Sequence, residues 1–566
     1  MEYEMLLINI ARDFSGYSEG FKDSIGQYLI AAWLRKHSFQ AYVFSGNVQQ
    51  CKEVIRQEID EHKVPVVGFY TAADNIRIAA HAVSWIKKNY PNVKTVIGGP
   101  QAIGLDYNFF ERTGNDYAIL GEGEIPVYML LSSIVDGTVA LEQVPSLVRR
   151  DEREKTLIVN QCENAVITEL DTIPHPSMAD SLKKNLRQGK VAGLITGRGC
   201  PYHCTFCYEG ANAKNVRFRS IANVMEEVDD LYKNNRHIEY INIYDDTFTL
   251  DKDRVLAFCE EISKRKIKWF CEGHISFVLK NPDILKKMVE SGLTCIQFGI
   301  ESGSKAVLDA YCKHTDSDSI IKAVQICKKA GIHGITGNFI IGGALETKET
   351  VEESKRLAKE LIQAAKGMIE LYVVYFAPYP NTRIVNEPET FGIRLHKDLE
   401  KRCLNTMRCP VVETKGLSVP DIYEQKREFE VYLEQLYKDA ASVPDKADVV
   451  QGLFEDGKRM HLNPTWERHY LSHPYIVAFL EHLSEEEQIF QPSHYIIRTF
   501  EDFVIEKDVM RSEAGEFCGL EMRILADAAG IYNAYEMSQA FAVPLQKIQE
   551  TYEQLNSRCL VYMSEF

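Results

Sequence analysis

The sequence predicts an α/β chain of several domains, and three observations carry that prediction. Short apolar runs alternate with segments of helical spacing, over residues 1–145 and again over 185–400. Nearly every run ends in glycine or a polar residue, as strands do when ligands lie beyond their carboxyl ends. The 566 residues are too many for one hydrophobic core.

In the first region, Met5–Ile10 is a strand candidate and 24–36 a helix with Ile25, Leu29, Ile30, Trp33 and Leu34 on one side. Strand 40–44, helix 53–61 and strand 64–70 follow. Helix 76–89 leads to strand 95–97, which ends in Gly98-Gly99-Pro100. Strand 117–120 ends in Gly121-Glu122-Gly123-Glu124. Alternation of this kind makes a parallel sheet covered by helices. Glycine at such strand ends lets backbone approach a flat cofactor closely.

The chemistry-bearing motif is Gly199-Cys200-Pro201-Tyr202-His203-Cys204-Thr205-Phe206-Cys207, after the apolar run 191–196. Three cysteines spaced C-x3-C-x2-C bring three thiolates to one point without a fourth. Thiolates are the ligands that iron–sulfur clusters prefer. A four-iron cluster held by three cysteines keeps one iron open for a small molecule. The competing reading is a zinc knuckle, which wants a fourth ligand and paired C-x2-C spacing. His203 lies inside the loop, but nothing nearby completes a second pair.

Downstream, the alternation continues. Helix 221–234 has Ile221, Val224, Met225, Val228 and Leu231 on one face. Strand 240–244 ends in Asp245-Asp246-Thr247, and strand 268–272 follows helix 251–264. Helix 281–291 has Pro282 near its start, where proline fits. Strand 295–300 ends in Glu301-Ser302-Gly303, and strand 335–341 in Gly342-Gly343-Ala344-Leu345-Glu346. Helices 318–330 and 350–364 precede strands 335–341 and 370–377. That makes about six strand–helix units, short of the eight of a closed barrel. An incomplete barrel leaves a lateral opening.

The cysteine motif resembles the signature of the radical S-adenosylmethionine (SAM) superfamily. The first region, with strand-Gly-Gly-Pro and then Asp116-Tyr117-Ala118-Ile119-Leu120-Gly121-Glu122-Gly123-Glu124, is similar to the cobalamin-binding domain found before many radical SAM domains. The resemblance spans about residues 5–400. It implies a doubly wound, Rossmann-like cobalamin-binding domain (1–145), a linker (146–184) and a partial (β/α)6 TIM-type barrel (185–400). It implies that Cys200, Cys204 and Cys207 hold a [4Fe–4S] cluster whose open iron SAM chelates. SAM contacts would come from Phe206 at the adenine and from Asp245 and Asp246 at the methionine amino group, where a carboxylate suits an ammonium. Glu301 and Ser302 would lie near the ribose and methionine carboxylate, and Ile341, Gly343 and Glu346 would support the adenine. Gly68, Thr71, Gly98, Gly99, Pro100, Gln101, Gly121, Glu122 and Gly123 would border the corrin. Gln101 stands where such domains often carry histidine, and the D-x-H-x-x-G signature is absent, which implies cobalamin with no histidine below the cobalt. The competing reading keeps the domain as scaffold with its cobalamin site lost. Arg217 and Arg219 either pair with carboxylates or form a solvated face.

The activity so implied is cleavage of SAM to a 5′-deoxyadenosyl radical and C-methylation of an unactivated carbon. The alternative is a radical rearrangement, cyclisation or epimerisation without methyl transfer. A flavodoxin- or ferredoxin-type protein would supply the electron.

Residues 401–510 read as mostly helical, with a charged helix over 419–441, and 511–566 as a small winged-helix-like domain. Its segments are 522–529, 535–541, 545–557 and 560–563. Cys403 and Cys409 are either an extra ligand or thiol donor, or structural. The candidate recognition helix sets Lys547 and Arg558 against Glu550 and Glu553, poor for phosphate, so packing or peptide binding is expected. A peptide or small-molecule natural product is the expected substrate. The net charge of −16 argues against nucleic acid as the main partner, though it leaves room for a local basic groove. This also weighs against a third reading, a winged-helix regulator that uses the cluster as a redox sensor. No run approaches the length of about eighteen apolar residues that a membrane span needs. No signal peptide is visible, and fourteen scattered cysteines suit a reducing compartment, so a cytoplasmic location is expected.

Overall fold

The computed structural model describes residues 3–10, 24–72, 75–161, 165–176, 191–212, 215–234, 238, 240–395, 410–455, 458–459 and 462–487, with short pieces from 504 to 551. Among them, the chain forms two parallel sheets in series. The first takes β1 (Met5–Ile10), β2 (Ala41–Gly46), β3 (Val66–Tyr70), β4 (Lys94–Gly98), β5 (Tyr117–Ile119), β6 (Leu147–Asp151) and β7 (Thr156–Val159). Their spatial order is β2-β1-β3-β4-β5-β6-β7, parallel through β5 and antiparallel beyond it. Helices Ile25–Lys36, Val48–His62 and Ile76–Asn89 cover the two faces through separate apolar clusters. Asn47 starts the second with a reciprocal capping box to Gln50.

One domain boundary moves. Residues 147–159, assigned to a linker by sequence, form the β6–β7 hairpin that extends the first sheet. Its alternation is hidden by the run Arg149-Arg150-Asp151-Glu152-Arg153-Glu154-Lys155, charged because the hairpin lies at the sheet edge.

The second sheet begins with β8 (Val191–Leu194). Two short strands, β9 (Gly197–Arg198) and β10 (Arg217–Phe218), pair antiparallel at the neck of the cysteine loop. Then come β11 (Tyr240–Ile243), β12 (Lys268–Glu272), β13 (Leu293–Glu301), β14 (Gly334–Ile341) and β15 (Ile369–Tyr375). β8 and β11–β15 pair in parallel, each beside its predecessor in the chain, as an open barrel requires. The five strands read from sequence, β11–β15, lie within two residues of that reading at both ends, and β8 falls inside the apolar run 191–196.

The lateral edge is closed from the C-terminal side. Helix Val419–Ala441 lays Phe429 against Phe339, with ring centroids 5.2 Å apart. Its Tyr437 hydroxyl accepts from the backbone N–H of Leu371 at 2.8 Å and donates to the Ile369 carbonyl at 3.2 Å. Trp466 Nε1 donates to the same carbonyl at 2.8 Å. Free backbone groups at the edge strand β15 are thereby satisfied by side chains.

A three-stranded antiparallel sheet (Val504–Glu506, Val509–Ser512, Gly515–Cys518), not anticipated from sequence, spans the boundary between the helical region and the winged-helix-like domain placed at 510/511. Candidate segments 522–529, 535–541 and 560–563, most of 545–557, and Cys403 and Cys409 lie outside the described residues. Among the described residues, no helix is long and apolar enough to cross a membrane.

Candidate active site

The loop between β9 and β10 carries Cys200, Cys204 and Cys207, none in a disulfide, Cys200 buried and the others half-buried. The loop is tied to the turn after helix Lys305–Ala310: Thr205 donates from N to the Tyr311 carbonyl at 3.2 Å and from Oγ1 to the Ala310 carbonyl at 2.8 Å. Phe206 packs on Tyr311 at 4.7 Å between ring centroids. On the other side Tyr202 stacks on His274 at 4.0 Å, nearly parallel. His203 is exposed.

Beneath the loop lies a pair the sequence did not reveal. Lys313 Nζ is 3.2 Å from Glu301 Oε1, with side chains 11% and 9% exposed. Burial opposes the Lys313 charge, but Glu301 and Cys204, with Cys207 adding, hold its pKa above the usual lysine value. Glu301 sits at φ +63°, where β13 slips register against β14. A side chain on Gly299 would collide with the Glu301 carboxylate and with Lys313 Nζ, so only glycine leaves room for the pair. A non-glycine residue held in the left-handed region is strained, and such strain gathers at functional sites.

The two adjacent aspartates separate. Asp245 is buried and accepts from Thr196 N at 2.6 Å, Thr196 Oγ1 at 2.5 Å and Gly197 N at 3.0 Å. It braces the end of β8. Asp246 is half-buried and accepts from Gly199 N at 2.7 Å. Burial raises its pKa against the pull of that N–H and of Arg198. Two further carboxyls the sequence left unmarked stand near it. Burial, with Asp246 adding, pushes Glu209 up to about 8 and Glu272 up to about 7.

Ser302 is fully buried; its hydroxyl bonds Ser354 Oγ at 3.1 Å and accepts from Ser304 N at 3.1 Å. Ile341, also fully buried, ends β14. Glu346 accepts from Gly342 N, while its other oxygen is buried without a partner, as is the Tyr311 hydroxyl. Burial pushes the Glu346 carboxyl up to about 8.

In the first domain, Thr71 donates from Oγ1 to the Gly98 carbonyl at 2.8 Å, joining the ends of β3 and β4. Gly99 has φ +94°, and a Cβ there would lie 2.5 Å from the Thr71 carbonyl oxygen. Gly98 and Gly121 have nothing within 4 Å of an added Cβ. Gln101 is buried, starts its turn with an N–H to the Thr71 carbonyl at 3.3 Å, and leaves Nε2 unpartnered. Pro100 opens that turn. Gly68 packs inside the sheet against Met5 and Leu7, and Gly123 against Ile30. The open glycines and the orphaned amide suit a flat, polar-edged macrocycle.

Glu122 takes another direction. Its carboxylate accepts from Arg198 Nη1 at 2.8 Å and from Arg217 Nη2. Arg219 likewise bonds Glu227, both buried. The arginines therefore pair with carboxylates, and the solvated-face alternative is excluded.

Among the described residues, no three His, Cys, Asp or Glu side chains converge on a single ion. The donor set, three soft thiols beside a buried cation, suits an iron–sulfur cluster. Together, the fold and site define a barrel enzyme with a thiolate-held cluster, joined to a Rossmann-like cofactor domain.

The comparisons agree. Residues 194–358 match the radical SAM superfamily model and residues 17–131 the B12 binding domain model. An uncharacterized methyltransferase of Pyrococcus horikoshii is 32% identical over 331 residues, covering 56% of this chain and 68% of its own. An anaerobic magnesium-protoporphyrin IX monomethyl ester cyclase of Cereibacter sphaeroides is 26% identical over 58% of this chain and 55% of its own. A cytidylyl-2-hydroxyethylphosphonate methyltransferase of Streptomyces wedmorensis is 26% identical over 52% and 60%. The chain thus spans only about half to three fifths of the latter two relatives. Among solved structures, the cobalamin-dependent SAM radical enzyme OxsB matches with TM-score 0.63 at 15% identity, over 100% of this chain and 82% of its own. The radical SAM methyltransferase TsrM of Kitasatospora setae matches with TM-score 0.57 at 14% identity, over 98% and 100%.

The chain belongs to the cobalamin-dependent radical SAM enzymes. The cofactors of its two matched domains are a [4Fe–4S] cluster, SAM and cobalamin.

Proposed function

We propose that this enzyme methylates an unactivated carbon of a peptide or other natural product. The observation that carries the reading is adjacency: the Gly121-Glu122 turn of the first domain bonds directly to both ends of the cysteine loop. A group held over Gly98 and Gly121 would therefore face the SAM side of the barrel. The Pyrococcus and Streptomyces relatives, both named methyltransferases, support the same reading.

When bound, the cluster and SAM supply a radical that removes a hydrogen atom, and cobalamin supplies the methyl group. The chain's residues bind and orient. Cys200, Cys204 and Cys207 hold the cluster, and Lys313 offsets their negative charge. Asp246, with one carboxylate oxygen beyond the Gly199 contact, takes the SAM ammonium. Asp245 holds the loop's entry strand in place. Phe206, Ile341, Gly343 and Glu346 shape the adenine side, and Glu301 and Ser302 the ribose side. Thr71, Gly98, Gly99, Pro100, Gln101 and Gly121 border the corrin, and Gly68 and Gly123 pack its support. A flavodoxin- or ferredoxin-type donor and a cytoplasmic location complete the reading.

The test uses protein reconstituted without oxygen, with hydroxocobalamin, dithionite and methyl-labelled SAM. Bound corrin, with both 5′-deoxyadenosine and S-adenosylhomocysteine formed, is expected. Deoxyadenosine alone, with no corrin bound, sinks methyl transfer. That result would favour a cyclisation or rearrangement, a reading that the cyclase relative supports.

A further inference from the structure

The cysteine loop leaves the barrel after Arg198 and returns at Arg217, and these residues face each other across the β9–β10 pair. Both guanidiniums converge on Glu122 of the first domain, at the neck of the loop. Arg198 Nη2 also donates to Glu124 at 2.6 Å, and Arg217 Nη1 to the Ile167 carbonyl at 2.5 Å. The arginines are each 15% exposed, Glu122 23% and Glu124 4%. Charge-assisted bonds shielded to this degree are stronger and more directional than surface pairs.

Each side of this junction adjoins residues assigned above, as a proposal, to a cofactor. Gly121, with φ +78° and open space at its Cα, immediately precedes Glu122. Gly199, the residue after Arg198, donates to Asp246, and Cys200 follows it. A path of covalent neighbours and direct contacts therefore runs from Gly121 through Glu122 and Arg198 to Asp246 and Cys200. A second contact between the domains brings Gly104 against Pro380, where an added Cβ would lie 2.5 Å from the proline ring.

We propose that Glu122 is a positioning residue that clamps both ends of the cluster loop to the first domain, so that corrin binding and SAM binding strengthen each other. Because linkage is reciprocal, the factor by which hydroxocobalamin tightens SAM must equal the factor by which SAM tightens hydroxocobalamin. Coupling of this kind is typically about 5- to 150-fold. The inference rests on the two-cofactor reading above.

The experiment uses the full chain, reconstituted with iron and sulfide, as wild type, Glu122→Gln and Glu122→Asp. It measures iron content, kcat and KM for SAM in deoxyadenosine formation, the Kd of SAM on the unreduced cluster (no dithionite, hence no turnover) with and without hydroxocobalamin, and the Kd of hydroxocobalamin by absorbance with and without SAM. In the wild type, each ligand should lower the constant for the other about tenfold. Glu122→Gln should keep its iron, raise KM for SAM more than it lowers kcat, and abolish the mutual effect; Glu122→Asp should restore part of it. Unchanged KM and coupling in Glu122→Gln would overturn the proposal. So would loss of iron together with SAM turnover, which marks a merely structural role. A wild type that forms deoxyadenosine but binds no hydroxocobalamin would overturn both the coupling and methyl transfer. In that case a KM effect in Glu122→Gln would still show that Glu122 positions the loop.

Discussion

Lys313 and Glu301 form a buried ion pair at 3.2 Å directly under the cysteine loop, with the ammonium also facing Cys204 and Cys207. Breaking such a pair from one side leaves an uncompensated buried charge, at a cost of about 3–5 kcal/mol. Lys313→Met should therefore lower stability by that order in urea unfolding. Adding Glu301→Gln removes the orphaned charge and should restore most of it. The double variant should still retain less cluster, because nothing then balances the thiolates. Iron content equal to wild type would refute that electrostatic role.

Asp245 and Asp246 are neighbours in sequence with opposite duties. Asp245 accepts three hydrogen bonds from Thr196 and Gly197, whereas Asp246 accepts one from Gly199. Asp245→Ala leaves buried donors unpaired and should cost about 1–3 kcal/mol or more. Asp246→Asn should unfold near the wild-type urea midpoint but raise KM for SAM about tenfold or more, since it removes the charge facing an ammonium. If the two variants exchange phenotypes, the assignment fails.

Much of this was legible in sequence because barrel strands are continuous apolar runs and their ends carry the polar residues. β12 (Lys268–Glu272) and helix Ile221–Asn234 coincide with their sequence readings residue for residue. The β6–β7 hairpin was not legible, since its charged edge masks the alternation. Nor was Lys313, whose burial depends on a turn in which Cys312 and His314 both take positive φ, at +56° and +48°. Arg198 and Arg217 find their partner 76 and 95 residues upstream, a separation that no local pattern signals.

Gly343 is required by its neighbour. An added Cβ would overlap the hydroxyl of Tyr311, whose ring packs on Phe206 of the cysteine loop. Gly343→Ala should cost about 1–3 kcal/mol, the usual penalty of overpacking. It should also loosen the loop, seen as faster iron loss to a chelator. Tyr311→Phe in the same chain removes the overlapping oxygen and should recover part of both effects. No recovery would mean that the strain lies elsewhere.

Glu346 gives a pH signature with a definite sign. Burial pushes its carboxyl up to about 8 in the folded chain, against about 4.3 for an unfolded glutamate. Between those values the folded state keeps a proton that the unfolded state has released, so stability falls as pH rises and levels off above about 8. Glu346→Gln keeps an acceptor for Gly342 N and cannot ionise, so it should lose this share of the slope. Glu209, Glu272 and Glu370 are raised in the same direction, so the difference between wild type and variant carries the information. In urea unfolding at pH 6 and pH 8.5, the variant should gain on the wild type at the higher pH. Each unit of displacement is worth about 1.4 kcal/mol. Parallel pH profiles would mean that Glu346 is already ionised in the fold, with its second oxygen bound to a donor.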